Sequence, residues 1–470
     1  MSKGRIRLAH DKLGLFDLVR LEGTTWIVRD TRGNEYRVPP EKRKLFRVVQ
    51  DSTSTTISTS PNTPRIIPAN PGLHARRIIQ SLRVGLPSLD DRTRQLAVGF
   101  EETKRFIRRF LTDIGQEGGG AMTLRGSYGQ GKTFALRMLE ELALENGFLT
   151  ARTEIDATEN CLNKPHHIYH DLMRTLRIPK ATGSGAPILA EKVVRHLDSE
   201  CGRSPDRRTL YLEAKVNSYP LDWLLSDPDL LQKPELVGLF AADPQYPASR
   251  ARANHCTLAD STIWPAFTAG TQGDFASYLI SGIGRISRML GHQGLVVIMD
   301  EMEKWHELNW AQQVQAGNLL GGLIWASTAE TGKRQPEDQP DELIHSGRGG
   351  GFPFTTNDRC HVGIAIAMTP RDDYDDSQLW SHFGPVLYAE VPTLTAKKLE
   401  DYCTRVMPLI AEAYGLREPT SEELKDISEE AIAIWRTHEE WNTRYGVQAA
   451  IAAFDHWRDR LEVDRHEDDE

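Results

Sequence analysis

Apolar residues change their spacing several times along the chain, and each change marks a predicted element. Near the N-terminus, Leu18–Leu21 and Thr24–Arg29 are short apolar-rich runs joined across Glu22-Gly23. A second turn at Thr31–Asn34 leads into Glu35–Val38, and Pro39-Pro40 stops the pattern. Short strands at this spacing predict a small SH3-like or Tudor-like β-barrel over residues 1–50. Residues 51–72 begin with a Ser/Thr/Pro-rich stretch that reads as a flexible linker. From about residue 73 the period turns helical, with Ile78, Ile79 and Leu82 among arginines, and Thr103–Leu111 predicts a second helix that ends before a sharp break at Gly118-Gly119-Gly120.

Continuous apolarity over Gly294–Met299 is the pattern of a strand buried on both faces of a parallel sheet, and His361–Met368 reads as a further buried strand. Met122–Arg125 reads as a short strand, and Phe148–Asp156 and Val386–Val391 as the two other core strands. With helices between them, residues 73–394 predict an α/β core with a central parallel sheet covered on both faces. Three amphipathic helices, Thr395–Tyr414, Ser421–Thr437 and Gly446–Leu461, predict a C-terminal helical lid over 395–470, in which Trp435, Trp441 and Trp457 read as core. Two stretches exceed what a simple alternation of strands and helices needs. Residues about 180–275 hold Pro-punctuated helical segments and predict a helical insertion, and about 328–358, Gly- and Arg-containing and without periodicity, predicts a mobile loop.

The strand at Met122–Arg125 runs into Gly126-Ser127-Tyr128-Gly129-Gln130-Gly131-Lys132-Thr133, and a helix with Leu136, Leu139 and Ala143 on one face follows. This is the G-x-x-x-x-G-K-[ST] phosphate loop in its strand–loop–helix setting. Its glycines let backbone N–H groups cradle phosphate oxygens at the positive end of the helix. Lys132 is placed to neutralise the β- and γ-phosphates, and the Thr133 hydroxyl to take a Mg2+ coordination position. The strand Gly294–Met299 ends in Asp300-Glu301, at the sheet edge where ligands bind. Asp300 is the candidate to hold Mg2+, and Glu301 to orient or deprotonate an attacking water; Glu303 is a weaker candidate for that role. The strand His361–Met368 ends in Thr369, a polar residue placed to sense the γ-phosphate. Arg444, just ahead of the third lid helix, is placed to reach back toward bound phosphate; Arg371 is a candidate to reach phosphate in its own chain, and Arg359 or Arg371 to serve a neighbouring subunit in a homo-oligomer. His166, His167 and His170 have no carboxylate or cysteine cluster beside them and read as part of a helix, not as metal ligands.

Charge and composition sharpen this picture at two points. The chain of 470 residues has a net charge of −9, which argues against a uniformly basic nucleic-acid coat. Residues 1–50, however, carry 12 Lys/Arg against 6 Asp/Glu, while Asp455–Glu470 carries 8 acids against 3 bases. A basic module on a linker is thus expected to be able to touch DNA, or else to dock a protein. No apolar run reaches membrane-spanning length, no secretory h-region follows Met1, and the five cysteines lack a C-x-x-C pair. These features predict a cytoplasmic protein with reduced thiols.

Several phrases together resemble a known family. These are Arg76-Arg77-Ile78-Ile79, Ala97-Val98-Gly99, the phosphate loop Gly126–Thr133, Val297–Glu301, and the lid phrase from Leu394-Thr395 to Glu412–Gly415. In that order they are similar to the ATP-binding proteins of BREX-type bacterial phage-defence systems, in the AAA+/STAND-like branch of P-loop ATPases. The resemblance spans about residues 73–179 and 290–460. It implies an ATPase working beside a helicase or modification enzyme on DNA. The N-terminal barrel and the long 328–358 loop stand outside it. Two further readings remain open from the residues: a nucleotide-dependent switch or scaffold with little turnover, and a DNA-binding adaptor with a vestigial site.

Overall fold

The computed structural model describes residues 6–10, 14–22, 25–30, 35–38, 46–49, 71–85, 95–201, 230–232, 237–238, 241, 272–328, 360–370, 387–438 and 442–468. Residues 51–70 of the linker predicted over 51–72, most of the 180–275 insertion, residues 329–358 of the loop predicted over 328–358, Arg359, Arg371 and Trp441 lie outside the described residues, whereas residues 71 and 72 begin a helix. The chain divides into two units, Met1–Pro68 and Ala69–Glu470.

In the first unit, strands β1 (Ile6–His10), β2 (Gly14–Glu22), β3 (Thr25–Asp30), β4 (Glu35–Val38) and β5 (Phe46–Val49) form an antiparallel sheet in the order β4-β3-β2-β1-β5. β2 pairs antiparallel with β3, with a register shift between Leu18 and Arg20.

The second unit is built on five parallel strands: β6 (Gly119–Arg125), β7 (Leu149–Glu154), β8 (Leu295–Asp300), β9 (Val362–Met368) and β10 (Leu387–Glu390). Their order is β10-β6-β9-β8-β7, so β9 lies between the strand entering the phosphate loop and the strand ending in Asp300. The glycine break has its turn at Gly118 alone, which caps α2 (Glu101–Glu117) in the left-handed conformation; Gly119 and Gly120 already belong to β6.

The continuous apolarity of β8 resolves into two faces because side chains alternate along a strand. Leu295, Val297 and Met299 enter a core with α4 (Pro165–Thr175), α5 (Ala186–Cys201), α6 (Gln272–Met289) and α7 (Trp310–Thr328). Val296 and Ile298 enter the opposite core, with α2 and α3 (Lys132–Glu145). On β9 the second face is built from small residues, Gly363, Ala365 and Ala367, because α2 lies close against it. A Cβ on Gly363 would stand 2.1 Å from Ile114 Cδ1. The strand is therefore shaped for one neighbour.

A third core joins α1 (Pro71–Arg83) to the lid helices α8 (Ala396–Tyr414), α9 (Ser421–Arg436) and α10 (Thr443–Asp468). Ile78, Ile79 and Leu82 of α1 are buried there. Trp435 and Trp457 are buried in the same core. Local signals set the lid's helix ends. The Thr395 hydroxyl accepts from Lys398 N–H, and Thr420 with Glu423 forms a reciprocal capping box. Helix α10 begins at Thr443, earlier than the predicted Gly446, so Arg444 sits in its first turn. Among the described residues no helix is long and apolar enough to cross a membrane.

Candidate functional site

The C-terminal ends of β6, β8 and β9 bring the predicted site residues together. Lys132, the first residue of α3, is 7% exposed, and its Nζ donates to Gly126 O at 3.0 Å and Ser127 O at 3.3 Å. It also donates to Thr369 Oγ1 at 2.7 Å. The Thr369 hydroxyl in turn donates to Glu303 Oε1 at 2.5 Å, and Thr369 N–H donates to Glu303 Oε2 at 3.2 Å. A Lys132–Thr369–Glu303 chain thus joins three strand ends. It exists because β9 is interposed between β6 and β8.

The second pair is Thr133 and Asp300, whose Oγ1 donates to Oδ2 at 2.7 Å. Asp300 is buried at 6% exposure, and its Oδ1 also accepts from Glu301 N–H at 2.9 Å. Burial pushes the Asp300 carboxyl up, while the Thr133 hydroxyl and that N–H pull it back. One hydroxyl and one carboxylate at a phosphate loop are the sparse donor set that Mg2+ takes alongside substrate phosphates, so these residues fit the ion that the sequence implies. Among the described residues no cluster of three or more His, Cys, Asp or Glu could hold a metal by itself. His166 and His167 pack edge to face on α4, and His170 Nδ1 lies 2.9 Å from Ala241 O, as helix residues of a structural kind.

Glu301 departs from the strand with φ of 61°, a left-handed conformation uncommon for a residue with a side chain. This turn ends β8 and starts the short helix Met302–Glu307. Burial, then the charges of Glu303 and Asp300, pushes the Glu301 carboxyl up to about 7, against the opposing pull of Lys132.

The loop itself is held from outside as well as by its own residues. Gln130 Oε1 accepts from Ser127 N–H at 2.7 Å. Gly129 has φ of 75°, and a Cβ there would stand 2.6 Å from the Asn442 side chain, so the lid presses directly on the loop. Arg444 N–H donates to Gly129 O at 3.0 Å. The Arg444 guanidinium does not point along the loop toward Lys132: it lies 5.3 Å from the Tyr128 ring centroid and donates to its hydroxyl at 2.8 Å. Tyr128 remains 58% exposed under this contact.

Between the loop, the lid and the chain leading into α2 lies a cavity of about 180 Å3. Its lining includes the polar residues Lys132, Thr133 and Glu301. It also includes the apolar side chains of Leu82, Leu96, Val98 and Phe100, and from the lid Leu394, Leu399, Tyr402 and Val447. Phe100 packs edge to face on Phe134 with ring centroids 5.3 Å apart.

Sequence reasoning missed most of the apolar lining of this cavity. It also ranked Glu303 below Glu301 without its tie to Thr369, and passed over Asn442. The last had a signal: an Asn directly before a helix is a cap, and Asn442 Oδ1 accepts from Tyr445 N–H at 3.1 Å.

No curated protein matches the chain. Residues 72–208, which hold α1, the phosphate loop and the first βα units, match the family model of the BREX system ATP-binding protein BrxC/D. Over those residues the chain is similar to BREX system ATP-binding proteins, the resemblance that its phosphate loop and flanking phrases carry.

Proposed function

We propose that this protein hydrolyses ATP and uses the nucleotide state to act on DNA or on a DNA-processing partner, a helicase or modification enzyme, in anti-phage defence. The observation that carries the hydrolytic part is the convergence of Lys132–Thr369–Glu303 and Thr133–Asp300 at one sheet edge, under a cavity that Glu301 also lines. Lys132 exchanges its bonds with Gly126 O and Ser127 O for phosphate oxygens, and backbone N–H groups of Gly126–Thr133 cradle them. Thr133 and Asp300 would hold Mg2+, which when bound neutralises charge on the β- and γ-phosphates. Glu301 accepts a proton from, or orients, the attacking water, and Thr369 reports the γ-phosphate to Glu303.

The placing of the Thr369 strand between the loop strand and the acidic strand, with a helical lid beyond, supports the AAA+-like reading. The lid's contacts with Gly129 and Tyr128 offer a route from nucleotide to lid position through Arg444. For the N-terminal unit, the antiparallel order in which β5 returns beside β1 supports an SH3-like barrel, and its basic balance supports DNA as its partner.

The test is steady-state ATP turnover, with and without duplex DNA, for the full chain, for Glu301→Gln and for the chain lacking residues 1–50. Glu301→Gln is expected to lower turnover by roughly 10²- to 10⁴-fold. DNA stimulation is expected to vanish with the deletion and to weaken steeply with salt. Turnover unchanged in Glu301→Gln removes Glu301 from the chemistry. ATP binding with negligible turnover in the intact chain would favour the switch.

A further inference from the structure

The phosphate-loop motif prescribes glycines, a lysine and a hydroxyl, and leaves position 128 free. A tyrosine stands there, and the loop's phosphate chemistry has no use for its ring or its phenol. Its contact with Arg444 gives it one. The Arg444 guanidinium lies 5.3 Å from the ring centroid and donates to the hydroxyl at 2.8 Å. Among the described residues the partners of this guanidinium are a ring and a phenol, not a carboxylate. The same residue's backbone N–H donates to Gly129 O at 3.0 Å. One lid residue therefore holds two consecutive loop residues, the first by its side chain and the second by its backbone.

The contact is braced from behind. A Cβ on Gly85, just past the end of α1, would stand 2.6 Å from Arg444 Cγ and 3.1 Å from Cδ, so α1 backs the arginine's stem. The turn into α10 is tied to the lid core, where buried Trp435 donates Nε1 to Asn442 O at 3.1 Å. On the loop, the residues flanking the tip have bonds of their own. Gln130 Oε1 accepts from Ser127 N–H, and Lys132 donates to Gly126 O and Ser127 O. Tyr128 and Gly129 form the tip of the turn that Gln130 N–H closes on Ser127 O at 3.2 Å. Gly129, with φ of 75°, is the residue there with the widest choice of backbone conformations. A phosphate cradle binds tightly only when its N–H groups are aimed before the ligand arrives. The tip is the part of the loop that needs holding, and the lid holds it.

We infer that Tyr128 is a positioning residue: with Arg444 it clasps the lid to the phosphate loop and keeps the loop in its phosphate-binding shape. Arg444 then serves the loop and not the phosphate. The inference rests on the reading of this loop as a nucleotide site, and it assigns part of the phosphate affinity to the lid. Because the clasp acts on the cradle, a bare polyphosphate should feel its loss as ATP does.

The experiment measures the affinity of the full chain for two probes, ATP and tripolyphosphate. Wild type is compared with Tyr128→Ala, Tyr128→Phe, Arg444→Ala and the Tyr128→Ala/Arg444→Ala double variant. Tyr128→Ala and Arg444→Ala are each expected to weaken both probes roughly tenfold, the scale of a charged hydrogen bond joined to a cation–π contact. The double variant is expected to match the worse single variant within about twofold, because both changes remove one interaction. Tyr128→Phe keeps the ring and the volume and is expected to lose roughly threefold; it carries the test should Tyr128→Ala fail to fold. An arginine that bound phosphate directly would cost as much in the Tyr128→Ala background as in wild type. A double variant weakened by the product of the single effects, roughly a hundredfold, overturns the inference. So does unchanged affinity in both Tyr128 variants, or a loss for ATP that tripolyphosphate does not share. Wild type that binds neither probe removes the nucleotide site and this inference with it, whereas binding by wild type with independent single effects removes the clasp alone.

Discussion

Thr369→Val tests the bridge between the phosphate-loop lysine and the acidic strand end. Valine shares the β-branched shape of threonine and lacks only its hydroxyl, so the steric fit at the end of β9 is kept. What disappears is the hydroxyl that accepts from Lys132 Nζ at 2.7 Å and donates to Glu303 Oε1 at 2.5 Å. Both lost bonds involve a charged partner, a class worth about 1.5–3 kcal/mol each. The partners are not stranded. Lys132 keeps two loop carbonyls, and Glu303 keeps the Thr369 N–H at 3.2 Å. The expected loss is therefore that of about one such bond, about 1.5–3 kcal/mol of transition-state stabilisation, or roughly a 10- to 150-fold fall in kcat. ATP affinity should move little, because the backbone cradle and Lys132 remain. Single-turnover hydrolysis with saturating protein, alongside equilibrium nucleotide binding, separates the two effects. A kcat within twofold of wild type would refute the bridge's role in hydrolysis. A loss confined to affinity would refute its assignment to the chemical step.

Two other consequences follow from the same geometry. Lys132→Ala should abolish the thermal stabilisation that ATP gives wild type, which at a hundredfold excess over Kd amounts to about 2.7 kcal/mol; differential scanning fluorimetry with and without nucleotide checks it. In the lid, Glu423 accepts from Arg417, Thr420 N–H and Trp457 Nε1, with the Arg417 bonds foremost in holding its carboxyl well below the usual carboxylate range. A carboxyl so depressed stabilises the fold fully above its unfolded value of about 4.3 and less as pH falls toward the folded one. Glu423→Ala should accordingly lower stability near pH 7 by about 1 kcal/mol, the scale of one lost cap, with the gap to wild type narrowing below about pH 4 in urea titrations. A gap that is constant with pH would mean that packing, not charge, is lost.

The parts of this protein legible in sequence are those whose causes are local. Gly126–Thr133 lies on a strand–loop–helix unit because glycine spacing, an apolar run and a helical period are all properties of a short window. The buried strand ending in Asp300 was legible for the same reason, and its residues divide between two cores as a period of two requires. Lid helices were read from their period, although α10 starts earlier than Gly446 because Asn442, not the glycine, caps it. α1 illustrates the limit. Its apolar face announces a buried helix, yet nothing in that face says that it joins the lid and not the sheet.

Taken by itself, the amino-acid sequence determined where phosphate chemistry can occur: the glycine loop, its lysine and threonine, and the acids closing an apolar strand. Tertiary structure decided which of these groups meet. The insertion of β9 between β6 and β8 makes Thr369 the link from Lys132 to Glu303, and sheet order arises from the packing of helices hundreds of residues apart. It likewise turned Arg444 onto Tyr128 and folded α1 and the lid around an apolar slot that no contiguous stretch of chain encodes. The physical reason is range: backbone preference and hydrophobic period act within a turn or a strand, whereas a site assembled from segments far apart in the chain depends on contacts that exist only once the cores have closed.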